Sequence, residues 1–445
     1  MEERISVTRS TDPRAAERAL LVGVILSSSD GGGDADEALA EIGSLVEAAG
    51  GEPVGGLVQR REKPDPRTYI GKGKVAEAKE LAAALDADLV VFDCDLSPAQ
   101  VRNLEGDLER RVVDRSELIL DIFARRARTR QAKAQVELAQ LQYTMPRLRR
   151  MWTHLERTEG AIGARGPGET QLETDRRIIQ KKIRDLRAEL QVIEERRQRE
   201  GEARRGHFRI CLVGYTNAGK STLLNRLTGA EEYAADQLFA TLDTRTRQWR
   251  LADGRVVLLS DTVGFVRDLP HHLVASFHAT LEEARSSDLL LEVIDAGSKE
   301  ALRQADAVEQ VLGELELGGL PRLVVLNQID RVGDRLDLAV LRNRFARTVA
   351  VSARTGEGLP ELEAEVGAIL DRESEECVLR VHAGDGRALG LLREVGVKLA
   401  EEYIDDHLYL RLRLAVRELE RLRSELRGGR LEVLPVESEH PPRPR

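Results

Sequence analysis

A glycine-rich loop directly after an apolar run constrains the fold of this chain more than any other feature. Residues 214–222 read GYTNAGKST, and HFRICLV before them has the character of a β-strand. The pattern G-x-x-x-x-G-K-[ST] is satisfied by Gly214, Gly219, Lys220 and Ser221. In this pattern, backbone amides and the lysine hold phosphate groups while the hydroxyl binds Mg²⁺. Because the amphipathic segment STLLNRLTG completes the stretch, we expect a strand, a phosphate loop and a helix of an α/β domain.

Three later motifs specify which nucleotide the loop holds. LSDTVG provides Asp261 as an acid for Mg²⁺ and the amide of Gly264 for a γ-phosphate. VVLNQID places Asp330 where a carboxylate can accept the N1 and N2 protons of guanine, a pair of donors that adenine lacks. VSARTGEG then predicts a tight turn whose backbone can approach the base. Four motifs in this order predict a GTPase domain that converts GTP to GDP and phosphate, with Mg²⁺ as cofactor.

The residues predicted to contact the nucleotide come from these four motifs. They are Gly214, Tyr215, Thr216, Asn217, Ala218, Gly219, Lys220, Ser221, Thr222, Asp261, Thr262, Val263, Gly264, Asn327, Gln328, Asp330, Ser352, Ala353 and Arg354. The predicted Mg²⁺ ligands are Ser221, Thr241 and Asp261. Thr241 lies in DQLFATLDTRTR, at the distance expected of switch I and shortly after the apolar anchor Phe239. The alternative, that Thr241 and Thr244 are ordinary surface threonines, stays open.

The N-terminal part of the chain has the pattern of a second α/β domain. Short apolar runs such as ALLVGVIL and DLVVFD alternate with helical segments from residue 19 to about 114, which predicts a small parallel, nucleotide-binding-like domain over 1–120. The segment YIGKGK at 69–74 lies between its second strand and its second helix. A helix N-terminus with lysines can hold phosphate, so phosphate or RNA binding and an ordinary solvated turn are both open.

A long helical region follows over 121–205 and is interrupted in its middle. Apolar residues step by three and four along two segments, which predicts an antiparallel helical hairpin. The members of the two steps are Ala132, Val136, Ala139 and Tyr143 in the first segment, and Ile179, Ile183, Leu186, Leu190 and Ile193 in the second. Between the segments, residues 145–170 are rich in glycine and arginine. We name these residues the tip.

Charge indicates what the tip contacts. Residues 124–150 contain eight arginines and lysines against one acid, Glu137. Basic side chains interleaved with an aromatic one suit an RNA backbone and unpaired bases. The alternative is a solvated basic helix face that pairs with acids elsewhere in the fold. The residues predicted to contact RNA are Arg147, Arg149, Arg150, Trp152 and Arg165.

Several of these segments together resemble the HflX family of ribosome-associated GTPases. They are YIGKGK, DRSELILDIFARRARTRQAKAQVELAQLQY, GARGPGETQLETDRR, GYTNAGKSTLLNRLTG and DTVGFVRDLP. The resemblance extends through residue 360 and implies a helical linker between the N-terminal domain and a G domain over 206–373, with a small α+β domain over 374–445. It implies binding to the large (50S) ribosomal subunit or the 70S ribosome, and splitting of stalled ribosomes. The alternatives are a GTPase of ribosome assembly or RNA modification, and a non-catalytic nucleotide-sensing switch.

Six residues bear on how the GTPase works. The residues expected to act in hydrolysis are Lys220, Thr241, Gly264 and Asn217. Asn217 matches an asparagine with which related GTPases hold K⁺, so K⁺ is a second candidate ion. Phe265 stands where many regulatory GTPases carry a water-orienting glutamine, or serves only as an apolar anchor; either role predicts slow hydrolysis until a partner such as the ribosome acts. Gln328 replaces the lysine that usually follows the asparagine of the guanine motif.

Composition limits the remaining possibilities. The chain of 445 residues suits roughly three domains. Its net charge of -9 argues against uniform coating of nucleic acid. Its three cysteines, Cys94, Cys211 and Cys377, lack metal-ligand spacing and fit a reducing cytoplasm. ALLVGVIL is too short to span a bilayer, so we expect no stable membrane insertion, with peripheral attachment as an alternative. We also expect a monomer.

Overall fold

The computed structural model describes residues 16–26, 35–150, 167–202, 207–229, 239, 245–267, 283–333, 335–372, 374–392, 395–426 and 431–436. Within this part of the chain, contacts separate two units, the first up to Leu190 and the second from Gln191 onward. None of the described helices combines the length and apolarity that a bilayer crossing requires.

The first unit opens with a four-stranded parallel sheet of order β2-β1-β3-β4. Buried apolar residues of its strands and flanking helices form one core, which confirms the expected parallel α/β fold. The elements are β1 (Arg18–Leu26), α1 (Ala35–Ala48), β2 (Glu52–Arg61), α2 (Lys72–Ala84), β3 (Leu89–Phe92), α3 (Pro98–Leu108) and β4 (Arg111–Val113).

Three helices and a short 3₁₀ helix follow the sheet. They are α4 (Arg115–Arg126), α5 (Arg130–Thr144), the 3₁₀ helix Met145–Arg150 and α6 (Pro167–Glu202). Helices α5 and α6 run antiparallel, since Glu137 pairs with Lys182 at 3.1 Å and Arg130 with Glu189 at 2.6 Å. The expected hairpin is therefore present in the first unit.

The face of α5 that meets α6 differs from the predicted one. Ala134 and Leu138 form a buried cluster with Ile183 and Leu186 of α6. The predicted residues of α5 are also buried but lie outside this cluster, and the hydroxyl of Tyr143 reaches Asp114 at the start of α4. Helix α5 thus buries two faces, and the sequence step identified the face that does not pack on α6.

The second unit contains a six-stranded sheet of order β10-β9-β8-β5-β7-β6, in which β6 alone pairs antiparallel. Central strands such as RICLVG and LLLEVID consist mostly of apolar residues because both faces of a parallel sheet are covered. The elements are β5 (Arg209–Gly214), α7 (Lys220–Thr228), β6 (Arg245–Arg250), β7 (Val256–Asp261), β8 (Leu289–Asp295), α8 (Ala301–Glu314), β9 (Arg322–Asn327), α9 (Arg335–Arg344), β10 (Thr348–Ala350) and α10 (Leu359–Arg372).

An antiparallel sheet of order β12-β13-β11-β14 ends the second unit. Its core joins the alternate leucines of β13 with residues of two helices, as the predicted α+β fold requires. The elements are β11 (Ser374–His382), α11 (Gly386–Leu392), β12 (Val397–Ile404), β13 (His407–Ala415), α12 (Val416–Glu425) and β14 (Leu431–Leu434).

Candidate nucleotide-binding site

Two glycines give the phosphate loop its shape. The loop leaves the carboxyl end of β5 at Gly214 and enters α7 after Gly219. Their φ angles are 147° and 88°, values that residues with a side chain rarely adopt. A Cβ on Gly214 would lie 2.2 Å from the carbonyl oxygen of Val293, and one on Gly219 would lie 2.4 Å from Nδ2 of Asn327. Both positions therefore require glycine for backbone angle and for space.

Lys220 is buried at the start of α7, and its side chain contacts the backbone of the phosphate loop. Its Nζ donates to the carbonyl oxygens of Gly214 at 3.0 Å and of Tyr215 at 2.8 Å. Burial lowers the pKa of Lys220 to about 8, against the opposing effect of the Asp261 charge. Phosphate groups in the loop would favour the protonated lysine, because a nearby anion stabilises the charged form of a basic group.

Ser221 at the start of α7 and Asp261 at the end of β7 bring a hydroxyl and a carboxylate together next to the phosphate loop. Ser221 Oγ donates to Asp261 Oδ2 at 2.6 Å, and Asp261 is fully buried at the carboxyl end of β7. Mg²⁺ prefers such hard oxygen ligands, so the pair fits the ion in the chemistry of its donors. Thr241, the third predicted ligand, lies outside the described residues.

Hydrogen bonds connect the segment after β7 to the phosphate loop. The amide of Phe265 donates to the carbonyl of Gly214 at 3.1 Å, and the amide of Thr216 donates to the carbonyl of Phe265 at 2.6 Å. The amide of Arg267 donates to the hydroxyl of Tyr215 at 2.8 Å. The Phe265 side chain is buried, so it anchors the segment and presents no group that could orient water.

The rest of the DTVG motif packs equally closely. Thr262 is buried and its hydroxyl donates to the carbonyl of Leu212 at 2.7 Å, while Val263 is also buried. A Cβ on Gly264 would lie 2.7 Å from Cα of Thr216. Only glycine therefore brings this backbone against the loop, where an amide for the γ-phosphate is expected.

Asn327 joins the phosphate loop to the base-side turn. Its side chain is 1% exposed. Its Nδ2 donates to the carbonyl of Ala218 at 2.9 Å, and its Oδ1 accepts from the amide of Ala353 at 3.0 Å. Both ends of the amide are thus used inside the protein. Asn327 therefore fixes two loops of the candidate site, and Asp330 remains the residue that is predicted to read the base.

Asp330 is held as a charged acceptor. Ser352 Oγ donates to Asp330 Oδ1 at 2.6 Å, and Arg354 pairs with Oδ2 at 2.6 Å. The hydrogen bond from Ser352, followed by the charge of Arg354, lowers the pKa of Asp330. A carboxylate that stays ionised can accept two hydrogen bonds, as guanine recognition requires.

The remaining predicted residues lie on the rim of the loop. Asn217 is exposed with a φ of 62°, and Thr222 lies in the first turn of α7. Gln328 Nε2 donates to the carbonyl of Asn217 at 3.0 Å. Arg331, which the sequence did not single out, donates to Gln328 Oε1 at 2.5 Å. Its position three residues after an unusual glutamine is the only sequence signal that could have marked it.

The predicted RNA contacts separate into different environments. Arg147 is largely buried: its guanidinium donates to the carbonyl of Leu96 at 2.8 Å, contacts Asp114 Oδ2 at 3.1 Å and stacks on the ring of Tyr143 at 3.6 Å. This arginine supports the fold of the first unit, so the prediction that it contacts RNA is revised. The backbones of Arg149 and Arg150 belong to the 3₁₀ helix; Trp152 and Arg165 lie outside the described residues.

Comparison with known proteins adds to this geometry. Three family models match, described as the GTP-binding GTPase N-terminal region over residues 36–124, the GTP-binding GTPase middle region over 126–204 and the 50S ribosome-binding GTPase over 209–328. A crystal structure of a GTP-binding protein from Sulfolobus solfataricus with GDP is 25% identical and covers 79% of this chain and 98% of its own. Its TM-score to this chain is 0.41.

Curated relatives are much closer in sequence. The chain is 46% identical to the GTPase HflX of Escherichia coli over 84% of this chain and 87% of that protein. It is 44% identical to the GTPase HflX of Lacrimispora saccharolytica, over 88% and 92% of the two chains. With this identity across nearly the whole length, and with the phosphate loop, the DTVG motif and the guanine motif gathered at one edge of the sheet, the chain belongs to the HflX family of GTPases.

Proposed function

We propose that this GTPase acts on the ribosome. In its GTP form it binds the large (50S) subunit or the 70S ribosome, it splits or recycles stalled ribosomes under stress, and GTP hydrolysis releases it. The observation that carries the proposal is the match of residues 209–328 to the family model described as a 50S ribosome-binding GTPase. It is supported by the basic region that leads into the tip.

The tip is the proposed contact with ribosomal RNA. Arg149, Arg150, Trp152 and Arg165 provide cations and an aromatic ring in the stretch of sequence between α5 and α6. Contacts of arginine with phosphate release counterions and give binding that weakens steeply with salt. This chemistry suits RNA, while a uniformly acidic partner surface would not require the aromatic side chain.

The contact between Arg147 and Asp114 anchors the 3₁₀ helix Met145–Arg150, with which the tip begins. Asp114 is fully buried and accepts from the amide of Glu117 at 2.9 Å, from the hydroxyl of Tyr143 at 2.8 Å and from Arg147 at 3.1 Å. Burial raises the pKa of Asp114, against these hydrogen bonds and the Arg147 charge. In this proposal Arg147 holds the 3₁₀ helix, and the arginines beyond it make the contacts.

The residues of the nucleotide site divide the work of hydrolysis. Lys220 neutralises phosphate charge, Ser221 and Asp261 would hold Mg²⁺, and the amide of Gly264 meets the γ-phosphate. When bound, Mg²⁺ neutralises charge that develops on the phosphate oxygens. Phe265 leaves the attacking water without a side chain to orient it, so we expect slow hydrolysis by the protein alone and faster hydrolysis on the ribosome.

Asn217 is the proposed ligand of a potassium ion near the phosphates. Its exposed amide and its left-handed backbone place it on the rim of the loop. A cation there would add positive charge where phosphoryl transfer needs it. GTPase rates measured in K⁺ and in Na⁺ at equal ionic strength test this assignment, and equal rates would contradict it.

The function is tested by GTPase rates with and without 30S, 50S and 70S particles, together with sucrose-gradient profiles of 70S ribosomes treated with the protein and GTP. We expect 50S or 70S particles to raise the rate and 70S ribosomes to separate into subunits. Stimulation by free RNA or by immature particles alone would favour a role in RNA modification or assembly. A rate that no particle changes would contradict the proposal and favour a nucleotide-sensing switch.

A further inference from the structure

Gln328 occupies a position that connects the guanine motif to the phosphate loop. Its backbone has a φ of 61°, an uncommon value for a residue with a side chain. The side chain extends to Asn217, whose own φ is 62°, and donates from Nε2 to the carbonyl oxygen at 3.0 Å. One hydrogen bond thus joins two residues with left-handed backbone conformation that belong to motifs far apart in the sequence.

Arg331 fixes the other end of the same amide. Its Nη1 donates to Gln328 Oε1 at 2.5 Å and lies 3.6 Å from Asp295 Oδ2. Asp295 is in turn held by the amide of Gly297 at 2.9 Å. With its oxygen held by Arg331, the glutamine amide can present only its nitrogen to the loop. The side chain is therefore oriented as a donor to Asn217.

We propose that Gln328 is a positioning residue of the nucleotide site, and that Arg331 orients it so that it holds the phosphate loop through the carbonyl of Asn217. Asn327 makes the matching contact to the next carbonyl, that of Ala218. Two consecutive side chains of the guanine motif thereby hold two consecutive carbonyls of the loop. In a trans peptide the C=O and N–H point in opposite directions, so holding the carbonyl of Ala218 also fixes the direction of the Gly219 amide.

This role makes a distinct prediction about nucleotides. The phosphate loop contacts phosphates that GDP and GTP share, so loss of Gln328 should weaken both to the same degree. It should not alter recognition of the base, which depends on Asp330. The ratio of affinities for GDP and inosine diphosphate, which lacks the exocyclic amino group of guanine, should therefore remain unchanged.

The test measures dissociation constants of GDP, of a non-hydrolysable GTP analogue and of inosine diphosphate for full-length variants. Gln328→Leu removes both hydrogen bonds with little change in volume. We expect all three constants to rise by about threefold to tenfold, which corresponds to loss of the one neutral hydrogen bond that reaches the phosphate loop. Gln328→Lys restores a donor that reaches Asn217 without needing Arg331, so its constants should stay close to those of the wild type.

Arg331→Ala separates positioning from general destabilisation. In the wild type it should weaken binding, because the glutamine amide loses its orientation, whereas in the Gln328→Lys background it should change nothing. Gln310→Leu, which removes an exposed glutamine contact to Glu314 on α8, is the matched control. Binding by Gln328→Leu at the wild-type level, or a changed ratio of GDP to inosine diphosphate, would overturn the proposal.

Discussion

The single carboxylate of Asp330 should decide which purine the protein accepts. Its two oxygens are positioned by Ser352 and Arg354. Asp330→Asn replaces one acceptor by a donor, which matches the carbonyl that xanthine carries in place of the guanine amino group. We expect the preference to move from GTP toward xanthosine triphosphate by at least about tenfold, or ~1.4 kcal/mol, in competition binding.

The matched control for this change is Asp306→Asn, which alters an exposed carboxylate on α8. It should leave the nucleotide preference as it is. An unchanged preference in Asp330→Asn would show that another residue reads the base.

A second carboxylate, Glu292 on β8, should make stability depend on pH. Burial raises its pKa to about 7, against the charge of Arg322, with Glu309 and Arg344 also nearby. A raised folded-state pKa means that the folded protein binds the proton more tightly than the unfolded chain does. The stability that this proton contributes is present below about pH 4.5 and is lost as pH rises through about 7.

Glu292→Gln removes this titration and keeps the shape of the side chain. We expect the variant to gain thermal stability relative to the wild type as the pH is raised from 5.5 to 8. The unfolding temperatures of both proteins across that range give the comparison. A difference between them that does not change with pH would contradict the assignment.

At the scale of helices, the junction between α4, α5 and the tip should depend on Tyr143. Its hydroxyl donates to Asp114 at 2.8 Å and lies 3.4 Å from Glu117 Oε2. Tyr143→Phe leaves the buried Asp114 with one donor fewer, at a cost of about 1–3 kcal/mol. We expect faster hydrogen exchange of the amides in α4 and α5.

The exposed Tyr403 on β12 offers a matched control, since Tyr403→Phe removes a hydroxyl from a side chain that is 62% exposed. It should leave exchange in α4 and α5 unaltered. If Tyr143→Phe also left it unaltered, the junction would owe its stability to packing instead of to the hydrogen bonds of Asp114.

Elements were predictable from the sequence where a local pattern determines them. Strand, loop and helix around Gly214 and Lys220 follow from a motif whose residues are neighbours in the chain. The environment of Arg147 does not, because its partners Leu96 and Asp114 are 51 and 33 residues away. The same holds for α5: apolar steps show that a face is buried but not which helix covers it. Gln328 was recognised as a departure, yet its contact with Asn217 spans 111 residues.

For the whole molecule, we propose that the GTPase acts through a basic tip that contacts ribosomal RNA. The tip variant Arg149→Ala, Arg150→Ala, Arg165→Ala removes three cations and leaves Arg147 in place to hold the 3₁₀ helix. Its control removes the same charge from exposed positions of α6, with Lys181→Ala, Arg184→Ala and Arg187→Ala. Nucleotide affinity should be equal in all three proteins, because none of these residues belongs to the nucleotide site.

The most direct measurement is co-sedimentation of these proteins with 30S, 50S and 70S particles, in a non-hydrolysable GTP analogue and in GDP. We predict that the wild type and the α6 control sediment with 50S or 70S particles in the analogue and much less in GDP, and that the tip variant stays in the supernatant. Failure of the wild type to sediment with either 50S or 70S particles would contradict the account. Equal binding in the GTP analogue and in GDP would also contradict it.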